Sequence, residues 1–221
     1  MNYASLKARH RAERDGYPQE LSLRIHRALS WLDRAEQSAD DPDVQFILLW
    51  VSFNAAYAQD VASAIAPTER TRLTEFLTQL CRVDKKAFST LLWTDFSGSI
   101  RVLLDNPYVF QPHWDWRNGL ISEADYLARF ASAQRTAEKA LGTESTVTLL
   151  EIVFHRLYTL RNQLVHGGAT WRGEVNRDQV RDCVSILGRF VPLVIATLMD
   201  HPEENWGPVH YPVVEGARTP Q

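Results

Sequence analysis

The chain predicts an all-α fold, an antiparallel helical bundle. Three observations carry this. Apolar residues recur at spacings of three and four through most of the length, the period of a helix with one buried face. Glycine is scarce, at 10 of 221 residues. No alternating strand pattern persists, and Asp15-Gly16 and Asn118-Gly119 sit beside helical runs, not between β-rich ones.

The first helix is predicted from Pro18 to Ala39, with Pro18 in its first turn and Leu21, Ile25, Leu29 and Leu32 as its apolar stripe. Asp41-Pro42-Asp43 then supplies an N-cap followed by proline, opening a second helix to about Ile65. That segment is apolar on nearly all sides, so it is expected to be central and buried. Pro67 and Thr68 open an amphipathic helix to Arg82, and shorter helices are predicted from Asp84 to Trp93 and from Ser97 to Asp105.

Residues 106–120 hold two prolines with Tyr108, Phe110, Trp114, Trp116 and His113, the composition of an irregular, packed aromatic loop. Ser122 to Asp125 reads as a capping-box start for a helix ending at Leu141-Gly142. Thr143 or Ser145 caps the next helix, which runs to His166 and is stopped by Gly167-Gly168. The last long helix is predicted from Asn176, its N-cap, to Met199, with a kink at Pro192. The tail, 201–221, is expected to be extended and partly disordered, with Trp206 and Tyr211 holding its first half and Glu215–Gln221 fraying. No repeat or linker divides the chain, so residues 1–200 are expected to form one domain.

Composition excludes several classes. Net charge is −3, with 45% hydrophobic and 23% charged residues, which is ordinary for a globular protein and argues against a general nucleic-acid coat. Two cysteines, Cys81 and Cys183, are too few for a disulfide scaffold, and no cofactor or metal site is expected. Met1–Tyr17 has mixed charges and no apolar stretch of signal-peptide type. No run approaches the roughly 18 apolar residues of a membrane span, so a cytoplasmic location without membrane contact is expected.

The stretch Thr148–Gly168 is the most informative. On a helical wheel, Leu150, Val153, Phe154, Leu157, Leu160 and Leu164 form one stripe. Arg161 falls inside it, and a guanidinium there is costly unless it is paired or reaches a wet cavity or interface. His166 falls on the opposite side with Asn162 and His155. A structural explanation is available: Arg161 could bond a buried carboxylate, and His166 could cap the helix C-terminus. His113 and Asp115, two residues apart, make a poor metal pair.

Arg161-Asn162-Gln163-Leu164-Val165-His166 is an R-N-x3-H pattern closing a helix, and Trp50-x2-Phe53-Asn54-x2-Tyr57 lies upstream. Together they resemble the HEPN superfamily, its larger stand-alone members in particular. The resemblance implies a four-helix core over about 18–66 and 121–200, with 67–120 as a helical and aromatic-loop insertion. Gly168 stands where the Tyr of the H-x-Y toxin subfamily would be, which places the chain outside that subfamily.

The resemblance implies a metal-independent endoribonuclease, with Arg161 and His166 catalytic. RNA brings its own nucleophile, the 2′-OH, and needs a base, an acid and a cation for the phosphate charge. His supplies the first two roles and Arg the third. Asn162, Tyr158 and Arg172 are the expected substrate contacts, with Asn54 and Tyr57 in support. Five residues along a helix are about 140° apart, so Arg161 and His166 do not face each other within one straight helix. The helix end unwinds, or a second copy completes the site; a homodimer is the expectation. Arg156, Arg161, Arg172, Arg177 and Arg181 against Glu174, Asp178 and Asp182 would make that cleft locally basic. RNA and a regulatory or antitoxin protein are the expected partners, in a defence, toxin or stress system. The rival readings are a HEPN domain that binds RNA or a nucleotide without cleaving, and a helical protein-interaction module.

Overall fold

The computed structural model describes residues 1–58, 69–174, 177–209 and 211. The described residues are helical with no strand, as the periodicity predicts. The helix predicted to run to about Ile65 instead stops at Tyr57, where Ala58 turns extended at ψ 133°. Ile65 itself, the predicted start at Pro67-Thr68, the cap Asn176 and the fraying end Glu215–Gln221 lie outside the described residues.

The helices are α1 (Tyr3–Glu13), α2 (Gln19–Glu36), α3 (Pro42–Tyr57), α4 (Glu69–Val83), α5 (Lys85–Thr90), α6 (Ser97–Asp105), α7 (Gln111–Arg117), α8 (Glu123–Gly142), α9 (Thr146–Val165) and α10 (Arg177–Asp200). α1 is an addition to the sequence reading. Asn2 and Ser5 cap it reciprocally, and it docks through Leu6 and His10, one turn apart. Only two buried positions in eleven residues leave no readable period.

α2 and α3 form an antiparallel hairpin. Ser52 Oγ donates to the Ala28 carbonyl at 2.7 Å, and Arg24 reaches the Ala56 carbonyl at 2.8 Å. Pairing 28 with 52 and 24 with 56 requires opposite directions. Arg24, only 1% exposed, also donates to the carbonyls of Ala58, Gly207 and Pro208. It thereby satisfies the end of α3 and ties the tail to it. α9 is antiparallel to α3 as well: Trp50 meets Tyr158 at 6.1 Å between ring centroids, and Phe53 meets Phe154 at 4.8 Å.

α3 is central, as its all-round apolar sequence predicts. Phe46, Leu49, Trp50, Phe53, Ala56 and Tyr57 are buried between α2, α9 and α10. α10 has the length and apolarity of a membrane-crossing helix, but 67% of its apolar window is buried inside the protein. Residues 69–117, within the predicted insertion, pack into the body of the bundle. Leu73, Phe76, Leu77, Phe88, Leu92 and Ile100 join the same continuous core.

The aromatic segment also differs from an irregular loop. It contains α7, closed by Gly119 at φ +74°, with Leu120 N–H donating to the Asp115 carbonyl at 2.8 Å. Trp116 stacks on Tyr126 of α8 at 5.1 Å, and His113 packs edge-on between Tyr108, Trp114, Trp116 and Tyr126. Trp206 is 4% exposed and packs edge-on against Phe76, which holds the tail as predicted; Tyr211 is 75% exposed, and its carbonyl accepts from Arg27 Nη2 at 2.7 Å.

Candidate functional site at the end of α9

α9 has two working faces. Leu149, Leu150, Val153, Phe154, Leu157 and Leu160 are buried against the bundle. The opposite face, through Ile152, His155, Arg156, Thr159 and Asn162, lines a cavity of about 850 Å³. Residues from α3, α4, α7 and α8 complete its wall, with Val109 and Phe110 from the segment preceding α7.

Arg161 lies on the edge of the buried stripe. Its Nη1 donates to Asn162 Oδ1 at 2.9 Å, and its guanidinium stands 5.8 Å from the centre of the Tyr158 ring. Among the described residues no carboxylate pairs with it. Arg161 is half-buried, its guanidinium held at the edge of the apolar stripe by Asn162 and the Tyr158 ring.

His166 is the C-cap of α9 and is exposed. Its backbone N–H donates to the Asn162 carbonyl at 3.0 Å. Gly167 follows at φ +71°, Gly167 N–H reaches the Leu164 carbonyl, and Gly168 N–H reaches the Gln163 carbonyl at 2.7 Å. This is a Schellman stop, and it holds His166 at a fixed point in solvent. A Cβ on Gly168 would sit 3.3 Å from the Gln163 carbonyl oxygen, so the second glycine fits a close approach.

Tyr57, Tyr158 and Asn162 meet at the cavity wall. Asn54 lies one helical turn before Tyr57, and its buried Oδ1 has no hydrogen-bond partner among the described residues. Arg172 goes elsewhere. Its backbone N–H donates to Asp43 Oδ2 at 2.8 Å, and its guanidinium lies over the Trp171 ring, 3.7 Å from Asp41. Trp171 Nε1 donates to Asp41 at 2.7 Å. The segment after His166 is thus docked on the start of α3.

The five arginines do not form one basic surface. Arg177 makes a two-pronged pair with Asp43 at 2.6 and 2.8 Å, Arg181 pairs with Asp178, and Arg172 lies beside Asp41. Arg156 is buried in the cavity wall, which leaves Arg161 as the half-exposed guanidinium of the group that has no carboxylate partner among the described residues.

The sequence reading missed Arg70, Arg129, Arg156 and His155 as cavity residues. His155 and Arg156 lie opposite the leucine stripe, but no local signal says that other helices cover that face. Burial, with Arg70 and Arg156 adding repulsion, lowers the His155 pKa to about 4, so the ring is neutral at pH 7. Burial also lowers the Arg156 pKa to about 10, leaving it charged. Both thiols are buried and unpaired with each other. No group of three His, Cys, Asp or Glu side chains among the described residues is placed to hold a metal ion.

Comparison with known proteins returns no matching family model, no matching curated protein and no matching solved structure.

Proposed function

We propose that the chain is a HEPN-type, metal-independent endoribonuclease acting as a homodimer. One observation carries this reading: Arg161, bonded to Asn162 and not neutralised by a carboxylate among the described residues, lies five residues before an exposed His166 at a rigid helix stop. Unlike Arg24, whose guanidinium is buried and taken up by backbone carbonyls, that of Arg161 stays half-exposed.

The residue types match the demands of cleavage by 2′-OH attack. One His166 removes the 2′ proton as the oxygen attacks phosphorus, and the partner's His166 protonates the departing 5′ oxygen. Arg161 presents its fork to the phosphate oxygens as charge builds there. Two copies are needed because one chain supplies one exposed His166, about 140° around the helix from Arg161, while His155 is half-buried in the cavity wall and its pKa is lowered to about 4. Val165, next to His166, is 47% exposed and Trp171 is 65% exposed, which supplies apolar surface for a second copy. Such an activity fits a cytoplasmic defence, toxin or stress system with a restraining protein partner.

The test is incubation with mixed RNA in EDTA, using the wild type, Arg161→Ala and His166→Ala. Cleavage by the wild type that both variants lose supports the proposal. RNA retention without cleavage supports a binding domain. A folded dimer that neither cleaves nor retains RNA supports a protein-interaction module.

A further inference from the structure

The cavity along α9 has a charge pattern that RNA cleavage at its end does not use. Among the described residues its wall carries Arg70, Arg129 and Arg156 and no Asp or Glu. Arg156 is 3% exposed, yet among the described residues it has no carboxylate partner. Its Nη2 donates to the Leu104 carbonyl at 3.2 Å, its guanidinium lies 4.2 Å from the centre of the Phe110 ring, and its Nη1 has no hydrogen-bond partner among the described residues. The acid that acts on it from nearby, Asp105, accepts from Gln134 instead. Burying a guanidinium without a counter-charge is costly. Arg24 meets that cost with the carbonyls of Ala56, Ala58, Gly207 and Pro208, whereas Arg156 has the Leu104 carbonyl and leaves Nη1 open to an arriving anion.

We propose that this cavity binds a small organic anion: a molecule with one carboxylate-, phosphate- or sulfonate-type head and a flat apolar body. The head faces the arginines. The body is held by Leu73, Val109, Phe110, Ile152 and Tyr158, which make the wall largely apolar. The volume of about 850 Å³ is that of a small-molecule site, larger than a bare ion needs. His155, neutral at pH 7, lines the wall without adding a competing charge. Glu151 acts on Arg70 and Asp125 on Arg129 from outside the wall, which tempers those two charges and leaves Arg156 as the unmatched one. The site stands independently of RNA cleavage, although Asn162 belongs to both.

The test uses the full chain and two probes with the same ring size, 8-anilinonaphthalene-1-sulfonate and the uncharged N-phenyl-1-naphthylamine, followed by fluorescence. Arg70→Gln and Arg129→Gln alter exposed side chains and leave the fold intact, and Arg34→Gln on α2 is the control. The expected result is one saturable sulfonate site per chain, about tenfold tighter than the neutral probe. Each cavity variant weakens it several-fold and Arg34→Gln does not. Benzoate or phenyl phosphate displaces the probe, whereas inorganic phosphate at the same concentration does not. Equal binding of the two probes, indifference to both cavity variants, displacement by inorganic phosphate alone, or displacement by an RNA oligonucleotide would each overturn the proposal.

Discussion

Arg161 and Asn162, neighbours in sequence, are joined side chain to side chain, with Nη1 donating to Oδ1 at 2.9 Å. Neighbours on a helix point about 100° apart, so this bond requires the long arginine to swing toward the short amide. It holds the guanidinium at the edge of the apolar stripe, between Asn162 and the Tyr158 ring.

Asn162→Ala removes that acceptor without removing either proposed catalytic group. RNA cleavage is expected to fall about tenfold, the value of one lost charge-assisted hydrogen bond. Thermal stability is expected to stay within about 0.5 kcal/mol, since Asn162 is only half-buried. Parallel cleavage assays and thermal melts check this. A variant as active as the wild type would show that the bond does not position Arg161.

His166 and Gly167 separate chemistry from architecture. His166→Ala is expected to abolish cleavage while leaving the melting temperature unchanged, because the ring is exposed. Gly167→Ala places a Cβ at φ +71° and is expected to cost about 1 kcal/mol of stability. Melting curves distinguish the two.

Asp43 anchors the segment that follows the motif. Burial pushes its carboxyl up, but the Arg177 fork and the Arg172 N–H outweigh that and hold it below its ordinary value. Its contribution is therefore present at neutral pH and lost as acid carries the pH down through that lowered value. Asp43→Ala is expected to cost about 2–3 kcal/mol, somewhat below a fully buried pair because Arg177 remains partly exposed. That lowers the melting temperature by about 5–10 °C at pH 7, with a smaller difference in acid.

His155 predicts a second pH window with its own sign. Its folded pKa, about 4, lies below the ordinary 6.5, so between those values the unfolded chain takes up a proton that the folded chain refuses. Stability is retained above pH 6.5 and declines as the pH falls toward 4. His155→Gln is expected to flatten the decline in denaturant midpoint over that window. His10, His26 and His113 are shifted the same way, by burial first, so the slope is reduced and not abolished.

The bundle and the motif were legible in the sequence to different depths. The stripes of α2 and α9 and the Gly167-Gly168 stop follow from local rules: three-and-four spacing, and a left-handed residue after the C-cap. α1 was not legible, because two buried residues make no period. The helix in the aromatic segment was hidden because Pro112 sits in its first turn, where proline is tolerated, amid residues that otherwise read as a loop. The cavity was least legible of all. Arg156 and His155 look like an exposed face until α4, α7 and α8 cover them, and such coverage is a long-range property with no local signature. Arg161, suspect for lying on an apolar stripe, is half-exposed; the buried guanidiniums are Arg24 and Arg156, satisfied wholly or partly by backbone carbonyls.

The central claim concerns what His166 and Arg161 do, and the end-group chemistry of the RNA product tests it most directly. The wild-type chain in EDTA, given a single defined RNA, is predicted to leave fragments ending in 2′,3′-cyclic phosphate, and His166→Ala is predicted to leave the RNA whole. Fragments ending in a free 3′-hydroxyl, or a His166→Ala protein that cleaves as fast as the wild type, would contradict it.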